Sequence, residues 1–89
     1  MKIAVWDTYV TKKDGSMMHF DILVPSEIRD TTTIHNYGKE FLDRKQQTGQ
    51  QLSATECSFC HIEEATEDMK ESIASKGYHI IEMQGCSDN

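Results

Sequence analysis

The chain has 89 residues, of which 27% are charged and 37% are apolar, and its formal net charge is −6. A chain of this length builds one domain around one core, so we expect a single domain over residues 1–89. The negative charge disfavours nucleic acid and anionic membrane surfaces as partners, because both are bound mainly through Lys and Arg. No apolar run approaches the roughly 20 residues of a membrane span. The apolar run after Lys2 is too short for a secretory signal, and we therefore expect a cytoplasmic protein.

Two segments rich in β-branched, aromatic and apolar residues predict an opening β-hairpin. They cover residues 2–10 and 17–24, and the Asp14-Gly15 pair between them is typical of a tight turn. With this pair at the tip, Thr8 lies opposite Asp21, and cross-strand partners share a face of the sheet. The predicted core face carries Ile3, Val5, Asp7, Tyr9, Met18, Phe20, Ile22 and Val24. The opposite face carries Trp6, Thr8, Val10, His19, Asp21 and Leu23.

A helical pattern begins after Pro25, which ends the second strand. Asp30 and the three threonines that follow it are candidate caps for a helix through the stretch IHNYGKEFLDRK. The apolar residues of this stretch recur at helical spacing and predict one buried stripe. The stripe consists of Ile34, Tyr37, Gly38, Phe41 and Leu42.

The second half of the chain predicts a strand, a helix and a final strand. The third strand runs through SATECSFCHIE, Thr66 caps the second helix and Gly77 ends it. The stretch YHIIEMQGC forms the last strand before a loose tail. The predicted order is therefore β-β-α-β-α-β. We expect an α+β two-layer sandwich, in which a four-stranded sheet carries both helices on one face.

The stretch CSFCH places two thiols and an imidazole within residues 57–61. Its spacing matches covalent haem attachment, but a cytoplasmic location and strand-like surroundings disfavour haem. Zinc fits better, because a Cys-x-x-Cys turn brings two thiolates to one tetrahedral ion, as in the knuckle of zinc ribbons that this stretch resembles. The second Cys-x-x-Cys of those ribbons is absent here. The candidate ligands are therefore Cys57, Cys60, Cys86 and His61.

Two other interpretations compete with zinc at this stretch. A thiol redox role needs a Cys with a low pKa, whereas Cys60 is followed closely by two acids, which favour a higher value. In a regular strand, Cys57 and Cys60 point to opposite faces and cannot share an ion. Free cysteines behave as small hydrophobes that are often buried. The sequence favours this packed arrangement and leaves zinc as the alternative.

Polar residues within the hairpin are further candidates. Asp7 interrupts an apolar strand, where a carboxylate can have a raised pKa suited to acid–base chemistry or can accept hydrogen bonds from Thr8 or Tyr9. His19 and Asp21 are two residues apart in a strand, so they share a face, and a carboxylate beside an imidazole orients the ring. We therefore add Asp7, Tyr9, His19 and Asp21 to the candidate site residues.

The stretches WDTYV, MHFDILV, CSFCH, KGYHI and MQGC together resemble a family of short bacterial proteins classed as a domain of unknown function. The resemblance covers nearly the whole chain. It implies a compact bacterial α+β protein, and it implies no activity, cofactor or catalytic residue.

The sequence favours a non-enzymatic interaction or structural module, with its cysteines either packed or holding a structural zinc. Such a module acts through a protein partner or as a homo-oligomer, and a sheet face carrying Trp6, Val10 and Leu23 is the predicted contact. The alternative is a small enzyme or thiol redox protein that uses the CxxCH stretch or His19 with Asp21. The predicted cofactor is accordingly none or zinc.

Overall fold

The strands and helices follow in the order expected from the sequence. The computed structural model describes residues 1–86, so the expected tail lies outside the described residues. The elements are β1 (Lys2–Thr11), β2 (Met17–Pro25), α1 (Thr31–Arg44), β3 (Cys57–Glu64), α2 (Glu67–Lys76) and β4 (His79–Gln84). The strands form one sheet in the order β3-β1-β2-β4, and every neighbouring pair is antiparallel. The α+β class and the order β-β-α-β-α-β are therefore confirmed.

The loop of the opening hairpin sets a pairing that differs from the predicted one. Lys12 and Ser16 are hydrogen-bonded across the strands, so the loop has three residues, and Gly15 closes it with a φ of 90°. A left-handed residue at this position is typical of three-residue hairpin loops, whereas the prediction assumed a two-residue turn. Asp21 consequently lies opposite Asp7 and not Thr8. This shift by one residue exchanges the two faces of β2 relative to β1.

The two helices cover opposite faces of the sheet, which corrects the expectation of one shared face. Alternation along the strands separates the buried residues into two clusters. The α1 cluster includes Ala4, Val10, Phe20, Ile22, Val24, Ile34, Phe41 and Leu42. The α2 cluster consists of Ile3, Val5, Leu23 and Met69, with Ala65, Ile73 and Ile81 against it. The physical reason is that β1 and β2 are central strands with apolar residues on both faces, and each face needs its own cover.

The predicted contact face is also wrong, because two of its three residues lie in the core. Val10 and Leu23 have no exposed surface, and Trp6 is half-buried against the α1 cluster. Val10 and Leu23 moreover point to opposite faces, toward α1 and α2 respectively.

Local signals at the helix ends are confirmed. The Asp30 side chain accepts a hydrogen bond from the Thr32 N–H at the start of α1, and Thr66 accepts one from the Met69 N–H at the start of α2. Gly77 ends α2 with a φ of 95°. None of the helices in the described part of the chain is long and apolar enough to cross a membrane.

The short length of α2 leaves half of its sheet face open. A helix of 10 residues spans about 15 Å, whereas β1, also of 10 residues, spans about 33 Å. The buried contacts of α2 are with Ile3, Val5 and Leu23, near one end of the two central strands. The other half of this face carries the polar residues of the hairpin and is not covered by α2.

Candidate functional site

A cluster of three ionisable side chains lies on the open half of the α2 face. Asp7 comes from β1, and His19 and Asp21 come from β2. Asp7 and Asp21 are direct cross-strand partners, and His19 lies two residues before Asp21, so all three point to the same face. The rigid central strands therefore hold the cluster in place.

The cluster is close enough for its members to share a proton or an ion. The Nε2 atom of His19 lies 2.5 Å from Oδ1 of Asp7 and 3.9 Å from Oδ1 of Asp21. One ligand atom from each of the three residues lies within 4.8 Å of the others. Asp21 is nearly enclosed, with 11% of its side chain exposed, whereas Asp7 is 34% exposed. The cluster is therefore open to solvent on the Asp7 side.

An aromatic ring fixes the orientation of the imidazole. Tyr9 is the cross-strand partner of His19, and the two rings stack with centroids 4.0 Å apart and planes 11° apart. Tyr9 is itself 45% exposed, so it covers the imidazole from the solvent side without closing the cluster. The stacked ring and the hydrogen bond to Asp7 together hold Nε2 toward the two carboxylates.

The electrostatics of the cluster are unfavourable for two ionised acids. The pKa of Asp21 is raised from 3.8 to about 6, first because burial penalises the charged carboxylate and then because the neighbouring Asp7 favours the protonated form. His19 and His61 act in the opposite direction but do not cancel this effect. Within residues 1–86, neither Asp7 nor Asp21 has an ion pair with a Lys or Arg. A cation beside the two acids would remove this cost.

The donor set is suited to a divalent transition metal. Two carboxylate oxygens and one imidazole nitrogen are ligands that Zn²⁺, Mn²⁺ and Fe²⁺ accept in proteins. Three protein ligands leave coordination positions for water, which is the arrangement of catalytic rather than structural zinc sites. Without a metal, the same His19 and Asp7 form an oriented imidazole–carboxylate pair, which can move a proton.

The structure does not bring the four predicted zinc ligands together. Cys57 lies on β3 and Cys86 follows β4, which are the two outer strands of the sheet. Cys57 accepts a hydrogen bond from Thr8, and the Cys86 thiol lies against the His19 carbonyl. In the described part of the chain, only one group of three or more His, Cys, Asp or Glu side chains is close enough to share an ion. It consists of Asp7, His19 and Asp21. As folded, Cys57, Cys60, Cys86 and His61 cannot form one site.

The CSFCH stretch forms an edge strand with one irregularity. Phe59 pairs with Trp6 and His61 pairs with Val5, which leaves Cys60 as an extra residue in a β-bulge. The Cys60 thiol is exposed and lies 3.3 Å from Nδ1 of His61. His61 also contacts Glu63, at 2.7 Å, so this side of β3 carries a separate exposed imidazole–carboxylate pair.

The other two cysteines, Cys57 and Cys86, are buried. Burial raises the pKa of both thiols, because a thiolate is poorly solvated in either position. All three cysteines are free. The prediction of packed cysteines therefore describes Cys57 and Cys86 but not Cys60.

The residue types of the cluster are visible in the sequence, but their meeting depends on the hairpin register. The predicted pairing put Asp7 on one face and His19 with Asp21 on the other. The Asp14-Gly15 pair fits both a two-residue turn and a three-residue loop with Gly in the left-handed position. The three polar residues Asp7, His19 and Asp21 themselves distinguish the two loops, because only the three-residue loop places them together on one face of the sheet.

Fold and cluster define a small α+β protein with a four-stranded antiparallel sheet, whose open half displays a His and two Asp side chains. The chain belongs to the family described as Domain of unknown function (DUF2024), whose model matches residues 1–83. The chain is similar to protein NE1680 from Nitrosomonas europaea, which was solved by NMR. The two are 39% identical over 98% of this chain and 100% of that one, with a TM-score of 0.84. A search of curated proteins gives no match. The expected family of bacterial proteins is confirmed.

Proposed function

We propose that the protein binds a divalent transition-metal ion on the open half of its sheet, through Asp7, His19 and Asp21. The observation that carries this proposal is the meeting of three ligand atoms within 4.8 Å on two rigid strands. The cluster joins two acids as direct cross-strand partners, an arrangement that destabilises a sheet unless a cation or a proton lies between them.

Small side-chain movements would complete the coordination. Ligands of an ion with bonds of about 2.1 Å lie about 3.0 to 3.4 Å apart in octahedral or tetrahedral geometry. The contact between His19 and Asp21, at 3.9 Å, needs to shorten slightly, and the one between His19 and Asp7, at 2.5 Å, needs to open. The ion would take the place of the hydrogen bond between Nε2 of His19 and Asp7.

The metal would serve as a solvent-accessible centre. Asp7 is the most exposed of the three ligands, and the ion would meet water on that side. A metal with open positions polarises a bound oxygen and lowers the pKa of bound water. The chain supplies the orienting ring of Tyr9 and a net charge of −6, which favours a cation over an anion at this surface.

Titration calorimetry with Mn²⁺ is the direct test, because Mn²⁺ prefers oxygen and nitrogen ligands and avoids the exposed Cys60 thiol. We expect one equivalent to bind the wild-type protein. Asp7→Asn and Asp21→Asn should each weaken binding at least about tenfold, since each removes a charged ligand.

Glu63→Gln provides a matched control. It makes the same loss of one carboxylate charge beside a histidine, at a pair that has no third ligand atom close enough to share an ion. Its affinity for Mn²⁺ should stay within about twofold of the wild-type value, which is well under 1 kcal/mol. Paramagnetic broadening by Mn²⁺ should reach Tyr9 and His19 first. Absence of binding, or equal loss in the control, would contradict the proposal.

A further inference from the structure

A second candidate site lies on the other face of the sheet, beside the single tryptophan. A cavity of about 470 Å³ opens between the edge strand β3 and the loop that joins β2 to α1. Its volume is within the range of about 300 to 1,000 Å³ that small-molecule sites occupy. Its apolar wall consists of Ala4, Trp6, Ile28, Phe59 and Ile62.

The apolar wall is partly exposed to solvent. Phe59 is 51% exposed and Ile62 is 44% exposed, and both project from the outer strand β3. Phe59 packs edge-to-face on Trp6 with ring centroids 5.8 Å apart, so the two rings form one continuous wall. Contiguous apolar surface of this kind marks a binding site more often than isolated exposed side chains do.

One cationic side chain at this cavity has no ion-pair partner. Arg29 lines the cavity, and within residues 1–86 it has no salt bridge. No acidic side chain is among the described residues that line the cavity.

We infer that this cavity binds a small apolar carboxylate, whose hydrocarbon part contacts Trp6 and Phe59 and whose carboxylate accepts hydrogen bonds from Arg29. A carboxylate matches Arg29, because it can accept two parallel hydrogen bonds from a guanidinium. Trp6 and Asp7 are neighbours on β1 and point to opposite faces, so this site is separate from the proposed metal centre and does not depend on it.

The single tryptophan makes the test direct. We would titrate the protein with phenylacetate, a small aromatic carboxylate, and follow the fluorescence of Trp6 together with its indole N–H signal in NMR. We expect a saturable fluorescence change and a shift of the indole N–H signal, since the aromatic ring of the ligand would contact the indole ring. The neutral isostere phenylacetamide should bind about tenfold more weakly, because it lacks the charge that Arg29 would pair with.

Variants distinguish a built site from general apolar binding. Arg29→Gln should weaken phenylacetate about tenfold and remove the preference over phenylacetamide. Lys39→Gln makes the same charge change on an exposed residue away from the cavity, and it should leave both affinities unchanged. Both positions are exposed, so folding should be intact, and circular dichroism of each variant checks this.

Two results would overturn the inference. One is the absence of any saturable change in Trp6 fluorescence up to the solubility limit of phenylacetate. The other is an indole signal that moves with protein concentration alongside a dimer in sedimentation, which would mean that a second copy covers the cavity.

Discussion

Replacing Asp21 by Asn should stabilise the metal-free protein at neutral pH. Asp21 is nearly buried beside Asp7, and its pKa is raised from 3.8 to about 6. Asn has nearly the same shape, carries no charge and can donate a hydrogen bond to the Asp7 carboxylate. The substitution therefore removes a buried charge without leaving a cavity.

The magnitude follows from the displaced pKa. Since one pKa unit equals about 1.4 kcal/mol, a rise from 3.8 to about 6 amounts to at most about 3 kcal/mol. The substitution also removes the weak contact of the Asp21 carboxylate with His19, which offsets part of this gain. We therefore expect the free energy of unfolding to increase by about 1 to 3 kcal/mol. For a domain of this size, each kcal/mol raises Tm by about 4 to 8 °C.

The sign of the pH dependence is specific. A carboxyl whose pKa is higher in the folded state binds a proton on folding between 3.8 and about 6, so it makes the wild-type protein less stable as the pH rises through this window. Asp21→Asn lacks this loss. The advantage of the variant should therefore be full above about pH 6 and should disappear near pH 3.8.

Urea unfolding with a chelator present, at a series of pH values, measures this difference. Asp14→Asn is a useful control, because hydrogen bonds from Ser16 lower the pKa of Asp14 and the same substitution should there be mildly destabilising. If Asp21→Asn is no more stable than the wild type at neutral pH, or if its advantage persists unchanged in acid, the reasoning about the cluster is wrong.

Three further predictions test the metal, the packing and the thiols. Mn²⁺ at about 100 times its Kd should raise the free energy of unfolding of the wild-type protein by about 2.7 kcal/mol, and thermal unfolding with and without chelator measures this. Gly38→Ala should lower the free energy of unfolding by about 1 to 3 kcal/mol in urea, despite the better helix propensity of Ala. The reason is that the new Cβ would lie 2.5 Å from Cδ1 of the buried Leu52. An equal or higher stability would mean that Leu52 moves aside. In alkylation followed by mass spectrometry, the exposed Cys60 should react first. Cys57 and Cys86 are buried and their thiol pKa values are raised, so they should react only on unfolding. Early modification of either would show that its packing is looser than in the structure.

The metal proposal and the stability prediction are linked through the same substitution. Asp21→Asn is expected to stabilise the metal-free fold and to weaken metal binding. A residue that costs stability and is held by rigid strands is typical of binding sites, where function and folding make opposite demands. A variant that is stabilised but still binds Mn²⁺ normally would separate the two arguments.

Local chemistry in the sequence determined the elements of this protein. Gly77 can end α2 because only a residue without Cβ adopts its left-handed φ easily. Asp30 and Thr66 cap the two helices because their side chains accept hydrogen bonds from backbone N–H groups two or three residues later. The helical stripe of α1 was likewise predictable, since Ile34, Phe41 and Leu42 recur at helical spacing and are buried. These signals act within a few residues and need no tertiary contact.

Only the tertiary structure decided the faces of the sheet and the residues that meet on it. The Asp14-Gly15 pair permits two loops, and the choice between them moves Asp7 to or from the side of His19 and Asp21. Burial of β1 and β2 on both faces removes the alternation that would have revealed how the helices are placed. Sequence shows which side chains are present, but which of them meet depends on pairings between distant segments, whose energies come from packing the whole domain.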